Sequence, residues 1–387
     1  MSNKGRYLKK KEAAPVGKKK VLLIVLAVFL VVLIGAGIIG FNYMNSMLDL
    51  IVRPTEGYNE LTQEEIDAIL NYNPDAPADA TFPGVDYTTP PTTAPTEPVD
   101  TTPEFIPSNK DIINILVVGQ AYREGEESKL SDSMILCSIN KETKTLTMTS
   151  FARDLYIQLA NFTMESGSVK YCGEQRINVA YNLGWKWGGD LGAMRMLSDT
   201  IKLNFGVEVD HGVEVDFYAF QDIIDMLGGI DIELTEKEAD HMTNELHGVG
   251  TFTPGVNHLT GAQALHYSRI RKIDSDFARG NRQRIVISTL IDMVRDLSMG
   301  ELIELAETVL PMITTNMTND DITTYIWELL PLLPDLQIVS NQCPAEGQYW
   351  SETVDIGGYP SAVIRPNLWT NKKILQEIAE GIEYEKK

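Results

Sequence analysis

The stretch YSRIRKIDSDFARGNRQR, from Tyr267 to Arg284, decides how the rest of the chain is interpreted. Five of the thirteen arginines lie between Arg269 and Arg284, although the whole chain has a net charge of −21. Such clustering within an acidic protein indicates a concentrated anion site rather than general surface basicity. We therefore expect the chemistry of the protein to be located in this stretch.

The first half of the stretch predicts a short strand. If Ser268–Lys272 is extended, its side chains alternate between two faces. The guanidinium groups of Arg269 and Arg271 then point in one direction, and Ile270 is buried on the other side. Two arginine side chains would face the same anion.

The second half predicts a helix that is capped by Ser275 or Asp276. Its first two turns present further donors at the positive end of the helix dipole, namely Arg279, Arg282 and Gln283. Arginine binds phosphate oxygens through two parallel hydrogen bonds, so this set predicts a cradle for a diphosphate. The alternative is a lattice of ion pairs in which Asp274 and Asp276 neutralise two of the arginines.

The stretch LTGAQALHYSRIRKIDSDFARGNRQR and several segments elsewhere in the chain together resemble the sequence pattern of a known family. The other segments are NILVVG at Asn114–Gly119, SDSMIL at Ser131–Leu136, ARDLY at Ala152–Tyr156, RINVAY at Arg176–Tyr181, and VEVDFYAF with LGGIDI between Val213 and Ile232. In this order they resemble the LytR-CpsA-Psr family over about Asn109–Leu297. Members of that family are cell-wall ligases that move glycopolymers from a polyprenyl diphosphate carrier onto peptidoglycan.

The resemblance implies roles for individual residues. Arg153 and Arg271 would act on the reacting phosphate, and Asp132 would hold Mg²⁺, which shields the diphosphate charge. The diphosphate and its sugar would contact Arg123, Arg269, Arg271, Arg279, Arg282, Gln283, Arg176 and Asn178. Tyr181, Trp185 and Trp187 offer faces for sugar stacking, although aromatic side chains are more often part of a core.

Two positions depart from the family pattern. The usual GxDxR motif reads GQAYR at Gly119–Arg123, so Ala121 replaces the expected metal-binding Asp. Leu130 stands where an Arg normally precedes Ser-Asp. Glu124, Glu126 or Glu127 can be considered as substitutes, and the departures leave open a catalytically impaired relative.

The N-terminal region predicts a membrane anchor. Met1–Lys20 carries eight Lys/Arg and one Glu, a net charge of +7, and the remaining residues carry −28. Val21–Phe41 contains no charged residue and would be about 31 Å long as a helix, which matches the hydrocarbon core of a bilayer. The charge asymmetry places the N-terminus in the cytoplasm and the rest outside. A cleaved signal peptide is the alternative, but its apolar region is normally only about 7 to 15 residues long.

The rest of the chain is organised around one large domain. In chain order we predict a cytoplasmic tail at 1–20, a transmembrane helix at 21–41, a membrane-proximal segment at 42–72, a linker at 73–108, the main domain at 109–298 and a C-terminal extension at 299–387. The linker is rich in Pro and Thr and would hold the domain away from the bilayer. Strand hairpins mixed with helices predict an α/β (α+β) fold, in which helices flank a mixed central sheet in three layers.

Other site classes find no support in the sequence. The five histidines show no HExxH spacing, and no GxxxxGK[ST] loop is present. The acidic domain would be repelled by nucleic acid. Because the domain is predicted to lie outside the cell, Cys172 and Cys343, which flank predicted loops, can form a disulfide, whereas Cys137 is expected to be a free thiol within a strand.

Three functions remain open at this stage. The first is a membrane-anchored phosphotransferase that moves a glycopolymer from a polyprenyl diphosphate to peptidoglycan. The second is a non-catalytic relative that binds the lipid-linked polymer, and the third is a hydrolase of the diphosphate.

Overall fold

The computed structural model describes residues 46–53, 111–120, 131–246, 250–295 and 297–381, without the side chains of 132, 299, 300, 302 and 303. It divides into two compact units, 1–49 and 50–387, of which the first is described only at 46–49. The predicted transmembrane helix at 21–41 and linker at 73–108 lie outside the described residues. No helix within the described ranges combines the length and the apolar character needed to cross a membrane.

A mixed six-stranded sheet forms the centre of the second unit. Its strands are β1 (Ile112–Gln120), β2 (Ser131–Asn140), β3 (Thr145–Phe151), β8 (His211–Asp216), β11 (Ile313–Thr315) and β12 (Gln337–Cys343). Their spatial order is β11-β8-β1-β2-β3-β12, with β1 parallel to β8 and β3 parallel to β12. Smaller two-stranded pairs join β4 (Tyr156–Gln158) to β7 (Glu174–Arg176), β5 (Phe162–Thr163) to β6 (Val169–Lys170), β9 (Ile230–Leu234) to β10 (Gly255–Leu259), and β13 (Tyr349–Ile356) to β14 (Tyr359–Pro366).

Helices flank this sheet, which confirms the predicted fold class. They are α1 (Ile177–Phe205), α2 (Phe217–Met226), α3 (Glu236–Glu245), α4 (Gly261–Ser268), α5 (Asp276–Arg295), α6 (Met299–Val309), α7 (Asn319–Leu329) and α8 (Leu368–Ala379). Short 3₁₀ segments follow α6 at Leu310–Met312 and α7 at Leu330–Asp335.

The hairpin between β2 and β3 shows why local sequence specifies this sheet. The Asn140 side chain accepts hydrogen bonds from the backbone N–H groups of Glu142 and Thr143 at 3.0 and 2.9 Å. Lys144 then takes a positive φ of 53°, and the chain reverses. Such local side-chain bonds stabilise turns, so Asn140–Lys144 closes the hairpin between the two strands.

The two faces of the sheet are buried differently. One face packs against α1 and α8 in the largest core cluster, which includes Leu116, Met134, Leu197 and Leu375. On the opposite face Ile135 and Met148 pack with Ile287 and other residues of α5. The alternation of side chains along each strand divides these two sets.

Helix α1 starts at Ile177 and is interrupted by a kink at Gly188 and Gly189. From the sequence alone a helix is predicted only at Leu191–Asn204, which lies after this kink. Gly189 has a φ of 63°, a conformation that glycine adopts without steric cost. The buried side chains of Tyr181 and Trp187 hold the first half of α1 in the core.

Segments from both ends of the second unit complete the central sheet. Strand β12 of the C-terminal extension pairs with β3, and β11 pairs with β8. At the opposite end of the unit, Val52 forms a bridge with Thr314, and the Arg53 side chain donates to Met317 O at 3.1 Å. Residues on both sides of 54–110 therefore contribute to this sheet.

The predicted disulfide between Cys172 and Cys343 is wrong. Both cysteines are buried and free, and both belong to the core cluster beside α1. Burial raises the pKa of Cys172 to about 12, so its thiol stays protonated and packs as a small apolar side chain. Cys137 is free, as expected, and burial raises its pKa to about 12 as well.

Candidate functional site

The arginine-rich stretch Tyr267–Arg284 folds as the end of one helix, a loop and the start of a second helix. Helix α4 continues through Ser268, and Arg269 is its C-terminal cap with φ −106° and ψ −1°. The strand predicted at Ser268–Lys272 is therefore wrong, because a helix that starts with a capping box at Thr260 and Gln263 extends into it. Ile270 is nevertheless buried, as expected.

Helix α5 begins where the sequence predicted. The Ser275 side chain accepts a hydrogen bond from the backbone N–H of Ala278 at 3.2 Å, and α5 runs from Asp276 to Arg295. The loop between α4 and α5 consequently points the positive end of α5 toward the same place as Arg269 and Arg271.

A cavity of about 340 Å³ lies between the central sheet and helices α2, α4 and α5. Close packing of α4 on α2 helps to shape it, since a Cβ at Gly261 would come within 2.1 Å of Gln221 O. The lining residues are Val117, Val118, Gly119, Ser133, Ile135, Arg153, Val215, Asp216, Phe217, Phe220, Ile223, Leu265, Ser268, Arg269, Arg271, Arg279, Gln283, Ile287 and Leu290.

The character of this cavity changes along α5. The lining positions of the helix are Arg279, Gln283, Ile287 and Leu290, spaced by four, four and three residues on one face. They progress from charged through polar to apolar over about 16 Å, at 1.5 Å per residue. One end of the cavity is thus built for an anion and the other for a hydrocarbon group.

We call the charged side the arginine end, defined by Arg153, Arg269, Arg271 and Arg279. Asp276 organises three of these residues. Its carboxylate accepts a hydrogen bond from the backbone N–H of Arg153 at 3.0 Å and pairs with the guanidinium groups of Arg279 at 2.8 Å and Arg271 at 3.6 Å. A single, mostly covered carboxylate therefore holds Arg153, Arg271 and Arg279 together.

The electrostatics of Asp276 reflect this position. Burial raises the pKa of its carboxyl group, whereas the hydrogen bond from Arg153 and the charge of Arg271 act in the opposite direction. Four arginines line the cavity against one lining carboxylate, Asp216, whose side chain caps α2 by accepting from Ala219 N at 2.7 Å. The arginine end therefore retains a net positive charge for an anionic ligand.

Arg269 is positioned separately from the other three. Its guanidinium carbon lies 4.6 Å from the centroid of the Phe217 ring at the start of α2. A guanidinium over an aromatic face is held by electrostatic attraction while its N–H edges stay free to donate in the ring-parallel plane. This contact explains how an exposed arginine at a helix end is directed along the cavity wall.

Gln283 joins the two ends of the cavity. Its side-chain oxygen accepts from Ser133 Oγ at 2.9 Å, and its amide nitrogen donates to Ser268 O at 3.4 Å. Gln283 therefore links strand β2 to the end of α4. The predicted contact of Gln283 with a diphosphate stays a prediction, although the residue lines the cavity.

Arg282 does not line the cavity, so its predicted diphosphate contact is not supported. Its guanidinium lies in a buried network, where it donates to Glu238 at 3.1 Å, to both oxygens of Asp274 at 2.6 and 2.7 Å, and to Ile270 O at 2.8 Å. Arg279 and Arg282 are three residues apart on α5, so their side chains leave the helix in directions that differ by about 60°. The ion-pair lattice that we considered as an alternative thus accounts for Arg282 and Asp274.

The residues predicted from the RINVAY segment lie away from the cavity. Arg176 is buried, and its guanidinium donates to Ala362 O at 3.1 Å and lies 3.6 Å from Asp154. Asn178 is buried in the first turn of α1. Their predicted contacts with phosphate or sugar are corrected to structural roles, because the early start of α1 turns this segment into the core.

The aromatic residues of the same segment are also part of the core. Tyr181 is fully buried, and its hydroxyl donates to the Glu214 carboxylate. The Trp187 ring lies 5.6 Å from that of Phe162, centroid to centroid. Trp185 is half-buried and packs against the same cluster. The prediction that these rings stack on sugar is therefore wrong for Tyr181 and Trp187.

The predicted metal site lies mostly beyond the described residues. Arg123, Ala121 and Leu130 fall in 121–130, and Asp132 is described only as a backbone position in β2. Within the described ranges, no three His, Cys, Asp or Glu side chains are grouped as metal ligands. A role for Asp132 with Mg²⁺ and a phosphate contact of Arg123 therefore stay predictions.

Sequence reasoning missed most of the apolar end, which comprises Val117, Ile135, Val215, Phe220, Ile223, Leu265, Ile287 and Leu290. Of the apolar residues of α5, Leu290 lines the cavity, whereas Val286 is buried in a core cluster. One feature of the sequence pointed to α2, namely the VEVDFYAF segment. This segment contains the end of β8 and the start of α2 at Phe217.

Comparison with known proteins places these features in context. The model of the LytR_cpsA_psr family matches residues 86–358. The polyisoprenyl-teichoic acid–peptidoglycan teichoic acid transferase TagU of Bacillus licheniformis is 32% identical over 227 residues, which cover 57% of this chain and 64% of that protein. The similarly named TagV of Bacillus subtilis is 30% identical over 222 residues, covering 55% and 52%. The chain thus spans less than two thirds of the length of either relative.

Solved structures show the same fold. A structure of TagT bound to LIIa-WTA superimposes with a TM-score of 0.54 at 25% identity, covering 70% of this chain and 92% of that one. The crystal structure of Bacillus subtilis TagV gives a TM-score of 0.52 at 26% identity, covering 70% and 98%.

Proposed function

The chain belongs to the LytR-CpsA-Psr family, and we propose that it is a phosphotransferase that moves a glycopolymer from a polyprenyl diphosphate carrier to peptidoglycan. The observation that carries this proposal is the change from arginine to aliphatic side chains along one face of α5 inside a single cavity. A polyprenyl diphosphate has the same two parts, a dianionic head and a hydrocarbon tail. The names of the relatives agree with this substrate class.

The proposed reaction takes place at the arginine end. A hydroxyl oxygen of peptidoglycan forms a bond to the sugar-proximal phosphorus, and its proton passes to the departing polyprenyl phosphate. The bond from that phosphorus to the bridging oxygen breaks, and its electron pair leaves with polyprenyl phosphate. In this proposal Arg153 and Arg271, which both line the cavity, stabilise the negative charge that develops on the phosphate oxygens, so catalysis depends on charge stabilisation and positioning.

The remaining arginines and the apolar end have binding roles in this proposal. Arg269 and Arg279 hold the diphosphate, and the side chains around Ile223, Leu265 and Leu290 cover the first part of the prenyl chain. Burial of each methylene group contributes about 0.8 kcal/mol, so the apolar end supplies affinity without any charge. Mg²⁺ bound near Asp132 would add further charge neutralisation.

The same proposal includes the location of the protein. The charge asymmetry around Val21–Phe41 supports a single membrane anchor, a cytoplasmic N-terminus and an extracytoplasmic domain. A lipid-linked donor and a peptidoglycan acceptor would then both lie on the side of the membrane where the cavity is.

Turnover of the donor tests this proposal against its alternatives. The full-length protein in lipid nanodiscs would be incubated with a radiolabelled, polyprenyl-diphosphate-linked glycopolymer, with and without peptidoglycan. A transferase gives labelled peptidoglycan and polyprenyl phosphate only when the acceptor is present. Release of free polymer at the same rate without acceptor would indicate a hydrolase, and tight binding without turnover would indicate a non-catalytic relative. Either result would overturn the proposal.

A further inference from the structure

A second carboxylate, that of Asp154, lies beside the arginine end without lining the cavity. Its Oδ1 atom is 3.4 Å from Nε of Arg153, which lines the cavity, and 3.6 Å from Nε of the buried Arg176. The three side chains are largely withdrawn from solvent, with exposed fractions of 19% for Arg153, 28% for Asp154 and 6% for Arg176. Partly buried ion pairs are screened much less than pairs at the surface, so this carboxylate constrains the direction of the Arg153 guanidinium.

Strand β14 holds Asp154 in place. The backbone carbonyl of Asp154 accepts from Ile364 N at 3.0 Å, and Leu155 forms a bridge with the same residue. The Arg176 guanidinium donates to Ala362 O at 3.1 Å, two residues earlier in the strand. Within the described ranges, Asp154 is the only carboxylate paired with Arg176. The hairpin of β13 and β14 thus holds Asp154 directly and also through Arg176.

Asp154 and Asp276 act on different parts of Arg153. Asp276 accepts from the backbone N–H of Arg153 at 3.0 Å and pairs with Arg271 and Arg279. Asp154 instead lies against the guanidinium group. The backbone contact fixes where the side chain of Arg153 begins, and the guanidinium contact fixes where it ends.

We propose that Asp154 is a positioning residue of the transfer reaction, which directs the guanidinium group of Arg153 at the reacting phosphate. This inference rests on the proposed transferase function and adds to it the residue that orients one of the two arginines at the reacting phosphate. Asp154 itself touches neither substrate nor the transferred proton. A donor stabilises developing charge only from the right direction, and a misplacement of about 1 Å can slow a reaction about 100-fold.

Asp154→Asn tests the assignment, because it removes the charge and keeps nearly the same shape. The full-length protein in nanodiscs would be assayed for transfer, and its Kd for a prenyl diphosphate would be measured by titration. We expect kcat to fall about 10- to 100-fold. The Kd should not rise, since the substitution removes a negative charge beside a site for an anion. An unchanged kcat, or a Kd that rises as far as kcat falls, would overturn the assignment.

A double-mutant cycle shows whether Asp154 acts through Arg153. Asp154→Asn should lower kcat no further in a protein that already carries Arg153→Ala. Glu174→Gln is the matched control, because Glu174 also pairs with an arginine, Arg365 at 2.6 Å, and does not line the cavity. Its kcat should equal that of the natural chain. Additive losses in the cycle, or an equal loss in the control, would contradict the positioning role.

The buried charge of Arg176 requires one further variant. Asp154→Asn leaves Arg176 without its carboxylate, and an uncompensated buried charge destabilises the fold. Arg176→Met/Asp154→Asn removes both charges, and kcat should still be reduced about 10- to 100-fold. Recovery of the natural kcat in this double variant would show that the unpaired Arg176 caused the loss, and the positioning role would be wrong.

The NMR signal of the Arg153 Nε–H group separates failure of this inference from failure of the proposed function. The signal is assigned by its absence in Arg153→Ala and is read without turnover. Its exchange with water should become faster in Asp154→Asn and stay unchanged in Glu174→Gln. A protein without transfer activity that shows this change refutes the transferase and retains the orienting contact. Transfer with neither faster exchange nor a lower kcat in Asp154→Asn refutes the contact alone.

Discussion

The two ends of the cavity differ in how their residues are distributed along the chain. Three of the four arginines at the arginine end lie within Arg269–Arg279, and the fourth, Arg153, follows β3. The apolar end draws its residues from Val117 to Leu290, on three strands and three helices. Charged groups that act together thus stand out in the sequence, whereas a hydrocarbon-binding surface is made by the packing of elements that each look like ordinary core.

Substitution of Arg282 tests whether the arginine end includes a residue that does not line the cavity. It has the largest expected effect of the changes considered, which is on stability. Arg282→Met removes the partner of the buried Glu238 and of Asp274. We expect the free energy of unfolding to fall by about 3 to 5 kcal/mol, because an uncompensated charge stays buried. Chemical denaturation measures this change, and donor affinity measured where the variant is still folded should be unaltered.

Arg295→Met is the control for this substitution. Arg295 pairs with Asp292 at 2.5 Å at the other end of α5, where the carboxylate is 60% exposed. Exposed pairs contribute about 0 to 1 kcal/mol. Arg295 also donates to Leu336 O, a bond worth about 1 kcal/mol, so the control should be destabilised much less than Arg282→Met. A large loss of donor affinity in Arg282→Met would mean that the arginine end extends beyond the cavity lining.

The arginine end itself is tested by Arg271→Ala. Removing a charged, bidentate contact from a partly dry site costs about 1.5 to 3 kcal/mol, so the Kd for a prenyl diphosphate should rise roughly tenfold or more. The loss should be equal for short and long prenyl chains, because the substitution leaves the apolar end intact. Isothermal titration with a series of chain lengths gives both quantities. If Arg295→Ala weakens binding as much, general electrostatics rather than a site explains the affinity.

The apolar end is tested by filling it. Ile223→Trp adds volume to the wall formed by α2, and each methylene that is displaced should weaken binding about fourfold. A soluble diphosphate without a prenyl chain should bind as before. Met226→Trp, on the same helix at an exposed position outside the lining, is the control. Equal loss for the soluble diphosphate would show that the two ends are not separate.

Added salt should weaken binding at the arginine end but not at the apolar end. This is the smallest of the expected effects. Between 0.1 and 1 M salt the Debye length shortens from about 10 to about 3 Å, so binding of a soluble diphosphate at the arginine end should weaken a few-fold. The gain in affinity for each added prenyl unit should not decrease, since burial of apolar surface is not screened. A salt-dependent gain per prenyl unit would contradict the division of the cavity into two ends.

The parts of the site that the sequence predicted correctly depend on local rules. Ser275 caps α5 because a capping side chain acts over only three residues. Ile270 is buried as predicted, but not in the strand from which its burial was expected. The strand predicted at Ser268–Lys272 failed because five residues with alternating polarity cannot outweigh a helix that is already capped at Thr260. Local pattern therefore located the anion-binding residues but not the backbone that presents them.

The contacts of other residues could not be predicted without the tertiary fold. Arg279 and Arg282 are both arginines on the first two turns of α5, yet Asp276 directs the first to the cavity while Glu238 from α3 engages the second. Helix α3 was not predicted, so the partner that it supplies to Arg282 was not foreseeable. Cys172 and Cys343 were assigned to loops, but the core that buries them forms only when α1 packs on the sheet.

Photo-crosslinking tests most directly the central claim that one cavity holds both parts of the donor. A prenyl diphosphate with a diazirine near the start of its chain would be bound to the full-length protein in nanodiscs, irradiated, and mapped by peptide mass spectrometry. We predict labels in α2, α4 and α5, at residues such as Ile223, Leu265 and Leu290, and loss of labelling when soluble diphosphate competes. Labelling at the separate surface cavity around Gln158, Asp199 and Leu203, or labelling that excess diphosphate does not reduce, would contradict the account.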